Sequence, residues 1–163
     1  MNVDTATSDA DAALRLSSQL CFPLYAAARL MVQAYKPHLD PLGLTYPQYL
    51  TMLVLWEEDS LSVRTIADRL ALDSATLTQI LKNLESAGLV TRTRVKGDAR
   101  TVVNQLTRKG QRLKLKAASL PHDLVCKHGA EVAELSEIKP ALERLVGSFR
   151  GEEASGANVA NID

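Results

Sequence analysis

Along the first quarter of the chain apolar residues return every three to four positions. Leu16, Leu20, Leu24, Ala27 and Met31 share one stripe, which predicts a helix over about 10–35. Pro37 marks its end in this reading, and Pro23, which removes the bond to the Gln19 carbonyl, predicts a kink or a later true start. The next segment opens on "TYPQ", where Thr45 and Gln48 have the spacing of a capping box. It continues as "YLTMLVLW", apolar on nearly every side and therefore central. Ser62 caps a short helix, "VRTIADRLAL", and Asp73 caps another, "SATLTQILKNLESA", which Gly88 stops. Leu77, Ile80, Leu81 and Leu84 form the core face of that second helix. Ser74, Ala75, Thr78, Gln79, Lys82 and Asn83 point away from it.

Beyond Gly88 the pattern changes. "LVTRTRV" and "RTVVNQL" are β-branched runs around a "KGD" turn, which predicts a hairpin with imperfect alternation, as suits a partly exposed ribbon. Thr107 caps a basic helix that Pro121 interrupts, and a last helix is expected near 135–149, with Pro140 fitting only near its start. Residues 1–8 and 151–163 are small and polar and read as tails, leaving 9–150 as one domain. The expected fold class is mainly α with a small β-hairpin wing. A helix, a short helix, a capped helix and a hairpin in that order make a winged helix-turn-helix lobe over 45–107.

With 163 residues the chain is long enough for a substantial core, and 46% hydrophobic against 4% aromatic residues makes that core aliphatic. No apolar stretch reaches the ~20 residues of a membrane span and no basic-then-apolar leader opens the chain, so the reading is cytoplasmic, with no membrane partner. The formal net charge of zero argues against a nucleic-acid partner until its distribution is considered. Arg92, Arg94, Lys96, Arg100, Arg108, Lys109, Arg112, Lys114 and Lys116 crowd into 90–116 against the single acid Asp98.

That block gives the outward face of the capped helix a candidate role in double-stranded DNA recognition. Ser74, Thr76, Thr78, Gln79 and Lys82 supply short donors and acceptors for base edges, and Arg94, Lys96 and Arg100 frame a wing tip suited to a narrow minor groove. Asp98 is placed to orient Arg94 or Arg100 through a salt bridge, the plainer alternative being a simple turn acid. A solvated helix surface is the commoner meaning of any one amphipathic helix; here its position before a basic hairpin favours DNA.

Two cysteines, Cys21 and Cys126, are too few for a disulfide scaffold. Cys21 lies on the apolar stripe, where a thiol is ordinarily inert packing, although Tyr25 is one turn away. His122, Asp123, Cys126 and His128 offer a thin zinc alternative, weaker than local polar surface, so no metal and no cofactor is expected. No "CxxC" and no arginine-paired cysteine supports an enzyme, here a thiol peroxidase.

The segments "LCFPLY", "AYKPHLDPLGLTYPQYL", "LDSATLTQILKNLESAGLV" and "GDARTVVNQLTRKG" together resemble the MarR family of transcriptional regulators, and within it the organic-hydroperoxide sensors known as OhrR. The chain departs from that branch at Ala75 and Gln79, where Gly and Pro are common, which bears on operator preference. The resemblance implies a homodimer through the N- and C-terminal helices, 9–44 and 108–150, on an inverted-repeat operator with recognition helices ~34 Å apart. It also implies a repressor whose Cys21 thiolate senses an organic hydroperoxide, tuned by the phenols of Tyr25, Tyr35 and Tyr46, with Phe22, Leu24 and Met52 as apolar surroundings. Tyr35 would then reach the partner's thiol, and Cys126 would resolve the oxidised cysteine across the interface. The alternative within the family is release by a small phenolic ligand, with Cys21 as packing only.

Overall fold

The computed structural model describes residues 11–95, 98–121 and 129–151; of residues 95, 98–101, 129–133 and 135 it describes the backbone alone. The readings of 1–8, of 152–163 and of the His122–Cys126–His128 stretch lie outside the described residues. The chain divides into two units, Met1–Leu120 and Pro121–Asp163.

In the first unit a 3-10 turn, Leu16–Ser18, precedes helix α1, Cys21–Leu39. The later start is the one of the two outcomes foreseen for Pro23, which sits in the first turn, where a missing N–H costs nothing. Pro37 does not end α1: it lies in the last turn, where one lost hydrogen bond is tolerated, and the backbone N–H of Asp40 still bonds the Lys36 carbonyl. The stop comes later, at a 3-10 turn Asp40–Leu42 and Gly43, whose φ of +68° is the left-handed conformation a glycine adopts without penalty.

Helix α2, Tyr46–Glu57, begins at the foreseen capping box, with the Thr45 N–H donating to Gln48 Oε1 at 2.8 Å. It buries Tyr49, Met52, Leu55 and Trp56 and is the central element. Strand β1, Leu61–Ser62, leads into α3, Val63–Leu70, capped by Ser62 Oγ, which accepts from the Thr65 N–H at 3.1 Å. Helix α4, Ser74–Ser86, is capped by Asp73 and ends where Gly88 turns left-handed (φ +70°), the Leu89 N–H closing back on the Leu84 carbonyl at 2.9 Å. Leu77, Leu81 and Leu84 of α4 and Ile66 of α3 are fully buried against α2, each burial contributing on the order of 2–3 kcal/mol.

Strands β2, Val90–Val95, and β3, Asp98–Leu106, form the foreseen hairpin, irregular between Arg94 and Val95. The sheet has a third strand: β1 pairs antiparallel with β3, giving the order β1-β3-β2, with Leu61 opposite Asn104. Fully buried Asn104 secures that edge, its Nδ2 donating to the Leu61 carbonyl at 3.0 Å.

Helix α5, Arg108–Ala117, is capped by Thr107, whose Oγ1 accepts from the Gly110 N–H at 3.0 Å. It ends before Pro121 is reached. In the second unit helix α6 spans Gly129–Phe149, longer than the 135–149 expected, with Pro140 in its middle rather than near its start. Strong helix formers flank that proline and Lys139 pairs with Glu143 at 3.5 Å across it, so cooperativity outweighs one missing N–H.

The stripe predicted for the first helix is not in the core of the protomer. Only Leu39 of α1 is buried; Leu20, Phe22, Leu24, Tyr25, Leu30 and Val32 are exposed, Leu20 at 87%. In α6, Ile138, Leu145, Val146 and Phe149 are likewise exposed. Apolar faces of this extent are surfaces awaiting a cover.

Gly110 is where α5 meets the start of the hairpin: a Cβ there would lie 2.2 Å from the Leu89 carbonyl oxygen. Gly110→Ala should therefore destabilise the lobe by about 1–3 kcal/mol in chemical denaturation. An unchanged midpoint would show that the close packing of α5 on Leu89 is not required.

Candidate functional site

The outward face of α4 is organised by its cap. Asp73 Oδ1 accepts from the Thr76 N–H at 2.8 Å and Oδ2 from the Thr76 hydroxyl at 2.6 Å; these bonds, the hydroxyl's foremost, hold the Asp73 carboxyl below the usual carboxylate range. Thr78 Oγ1 donates to the Ser74 carbonyl at 2.6 Å, and Gln79 Nε2 donates to Asn83 Oδ1 at 3.1 Å. Of the residues singled out for base contacts, Thr76 and Thr78 thus have their hydroxyl protons engaged and offer outward only acceptor lone pairs. Gln79 is held in one orientation, and Ser74 and Lys82 are exposed on the same face.

Arg94 is exposed on β2, opposite Val102. Two residues earlier on the same face of the strand, Arg92 is only 18% exposed and its Nη1 stands 3.9 Å from Glu85 Oε2 of α4. Arg92 therefore ties the hairpin to α4, a role its membership of the basic block concealed. Lys96 lies outside the described residues. Asp98 and Arg100 are placed on β3 by their backbone, and their pairing falls outside the described side chains.

Cys21 is a free thiol at the first position of α1, and it is exposed, not buried in its own chain as the stripe implied. Tyr25, one turn on, is exposed as well. Tyr35 is fourteen residues after Cys21, ~21 Å along the same helix, so one protomer does not bring it to the thiol. Instead Tyr35 packs against Tyr46 of α2, ring centroids 4.9 Å apart, and against Tyr49 at 6.0 Å, with Tyr46 and Tyr49 separated by 6.5 Å. Met52 is fully buried in the α2–α4 core, whereas Phe22 and Leu24 flank Cys21 in sequence and are open. Beside the tyrosines is an apolar cleft of about 300 Å³, lined by Val32, Leu39, Leu44, Tyr46 and Pro47 among others. Cys126 lies outside the described residues.

Burial raises the Tyr35 phenol above its ordinary value. It does the same to Tyr46 and Tyr49, where the neighbouring phenols add to it. All three are protonated donors at neutral pH. Tyr49, absent from the sequence-based list, was discoverable: it lies three residues after Tyr46 and seven before Trp56, one face of α2. Among the described residues no group of three metal-ligating side chains converges, and no helix is long and apolar enough to cross a membrane.

Comparison with known proteins adds the following. The family model of the SarA/Rot transcriptional regulators matches residues 33–117, more than half of the chain. The chain is 44% identical over 133 residues, 82% of its length and 90% of the relative's, to the organic hydroperoxide resistance transcriptional regulator of Bacillus subtilis. It is 55% identical over 137 residues, 84% of its length and 68% of the relative's, to the HTH-type transcriptional regulator TtmR of Methylorubrum extorquens. Among solved structures it resembles AbfR of Staphylococcus epidermidis. Reduced AbfR bound to DNA superposes with a TM-score of 0.66 at 34% identity, over 82% of this chain and 96% of that one. Its disulfide-formed state gives 0.61 at 33%, over 86% and 98%.

The tyrosine cluster has a thermodynamic signature. Phenols whose folded values lie above the unfolded value of about 10 contribute stability that is complete below pH ~10 and is lost as pH rises through the folded values. The tyrosine contribution to thermal unfolding should therefore be constant through the neutral range and fall above pH ~10, and Tyr35→Phe should make that fall shallower. An alkaline limb identical in Tyr35→Phe and wild type would remove Tyr35 from the cluster's energetics.

Proposed function

We propose a redox-controlled, operator-binding function of the MarR type for this chain, which belongs to the SarA/Rot family of transcriptional regulators and is related to the organic hydroperoxide resistance regulators. In this reading the reduced homodimer represses transcription by binding an inverted repeat in double-stranded DNA and releases it when Cys21 is oxidised by an organic hydroperoxide. It acts as a sensor and not as a turnover enzyme, and it operates in the cytoplasm.

The observation that carries the reading is an arrangement along α1 and the start of α2. The exposed Cys21 is at the start of α1, the protonated Tyr35–Tyr46–Tyr49 cluster is at its end, and the apolar face between them is uncovered. Two copies of α1 packed antiparallel would cover that face and carry each thiol to the partner's phenols. A hydroperoxide, whose organic group suits the apolar flanks of Phe22 and Leu24, is attacked at its O–O bond by the Cys21 thiolate. The outer oxygen becomes that of a sulfenic acid, and the alkoxide leaves and takes up a proton as an alcohol. The Cys126 thiol of the partner subunit then displaces that oxygen as water, leaving one intersubunit disulfide. A disulfide needs Cα atoms within ~7 Å, so its formation pulls the dimer helices into an arrangement that favours a DNA-incompetent spacing of the two α4 helices.

On DNA, α4 presents Ser74, Thr76, Thr78, Gln79 and Lys82 to the major groove, and Arg94, Lys96 and Arg100 follow the flanking backbone and minor groove. Arg94→Ala should weaken operator binding and lower its salt slope by about one, whereas Glu153→Ala should change neither. Equal affinity and slope for Arg94→Ala and wild type would remove the wing from the interface. Cys21→Ser should bind operator normally and stay bound after treatment with cumene hydroperoxide. Cys126→Ser should still be oxidised at Cys21 yet form no covalent dimer on a non-reducing gel. Release of Cys21→Ser by the hydroperoxide would contradict the mechanism, and a covalent dimer in Cys126→Ser would take the resolving role from Cys126.

A further inference from the structure

The tyrosine cluster does not end at Tyr49. Tyr49 meets Trp56 edge-on across two turns of α2, ring centroids 6.3 Å apart at 67°. Trp56, the single tryptophan of the chain, is buried, and its indole Nε1–H donates to the Gly110 carbonyl of α5 at 3.0 Å, a contact 54 residues distant in sequence. The link is reciprocal: Lys114 Nζ of α5 donates to the Trp56 backbone carbonyl at 2.8 Å, neutralising the negative C-terminal end of α2. One turn of α5 is thus fastened to the end of α2 by two hydrogen bonds running in opposite directions.

The first turn of α5 in turn holds the segment that joins α4 to the hairpin. Lys109 Nζ donates to the Ala87 carbonyl at 2.7 Å, Thr107 Oγ1 to the Gly88 carbonyl at 2.7 Å, and the Thr107 N–H to the Leu89 carbonyl at 3.0 Å. Three consecutive carbonyls are therefore held, with Gly88 as the left-handed pivot among them, and the absence of a Cβ on Gly110 lets α5 lie directly on Leu89. The path from Tyr35 to the joint between α4 and β2 is a continuous series of ring contacts and hydrogen bonds along one central helix.

We infer that Trp56 is a positioning residue that couples the thiol site to the DNA-reading elements: its indole hydrogen bond to Gly110 conveys a displacement of α2, imposed at the tyrosine end, to the Ala87–Leu89 joint. This rests on the redox reading above. Along its length α2 meets α3 and α4 through apolar packing, which has no fixed direction, whereas the indole bond at its far end is buried and directional and fixes how α5 follows α2. Loss of the indole bond leaves sensing and reading intact and separates them. The bond is buried and directional, which gives the coupling a magnitude of about fivefold to tenfold in affinity.

The test uses the full-length protein and an operator fragment, with Trp56→Phe, which keeps an aromatic ring against Tyr49 and removes the donor. Two quantities are read: the rate at which cumene hydroperoxide oxidises Cys21, followed by mass, and operator affinity before and after oxidation. Because Lys114 still bonds the backbone carbonyl of position 56 and keeps α5 in place in the resting state, the expected result is an unchanged oxidation rate, an unchanged reduced-state affinity, and an oxidation-induced loss of affinity about fivefold to tenfold smaller than in wild type. Full release of oxidised Trp56→Phe overturns the coupling role while leaving the redox reading in place. Failure of oxidised wild type to release operator overturns both. Should Trp56→Phe not fold, wild type suffices: oxidation is expected to shift the emission of its one tryptophan in step with DNA release and to leave Cys21→Ser unchanged, and an emission unaltered by complete oxidation of wild type overturns the inference.

Discussion

The first turn of α5 clamped onto the Ala87–Leu89 carbonyls is the contact on which the DNA-reading lobe depends. Gly88 at φ +70° gives the chain a sharp change of direction from helix to strand, and by itself such a joint would leave α4 and the hairpin free to swing against one another. Thr107 and Lys109 remove that freedom by holding each carbonyl in turn, and Arg92 adds a second tie from β2 to Glu85 of α4. Because Trp56 and Lys114 bond α5 to the end of α2, the reading elements are oriented by the central helix and not only by their own packing. In the dimer proposed above, orientation matters more than affinity for any single group, since such a reader is selected by the spacing of its two recognition helices.

That arrangement gives the uncovered face of α1 its meaning. A stripe of leucines exposed on one helix is unfavourable in water, and in the reading proposed above a second copy covers it. In our reading the thiol is placed within that cover, so its chemistry alters the contact on which the dimer's geometry is built. A sulfenic oxygen added among phenols and apolar side chains changes both hydrogen bonding and volume at a close-packed site, and close-packed interfaces respond to such changes by adopting another packing.

Much of the fold was legible because it is written locally. The capping residues Thr45, Ser62, Asp73 and Thr107, the stop at Gly88 and the core face of α4 each depend on neighbours within a turn or two, and each is found as read. Strand β1 was not legible: two residues carry no period, and its pairing of Leu61 with Asn104 is decided 43 positions away. The prolines misled in both directions. Pro37 and Pro140 suggested boundaries, but a single missing N–H does not outweigh the cooperativity of a helix around it. The thiol site was half legible. The pattern marked Cys21 as belonging to a face that requires burial without saying which chain provides it, and Tyr35 and Tyr46 were found together. Tyr49 and Trp56 were read only as members of a buried helix, since ring stacking and the bond to Gly110 are tertiary facts. The basic block was read only as a concentration of charge, and Arg92 shows that one of its members ties the hairpin to α4.

The most direct measurement of the central claim follows the wild-type dimer on an operator duplex by fluorescence anisotropy while one equivalent of an organic hydroperoxide per thiol is added, with intact mass read on the same samples. The account predicts that operator release tracks oxidation of Cys21 and is reversed by a thiol reductant. Full retention of the operator by protein whose Cys21 is completely oxidised would contradict it.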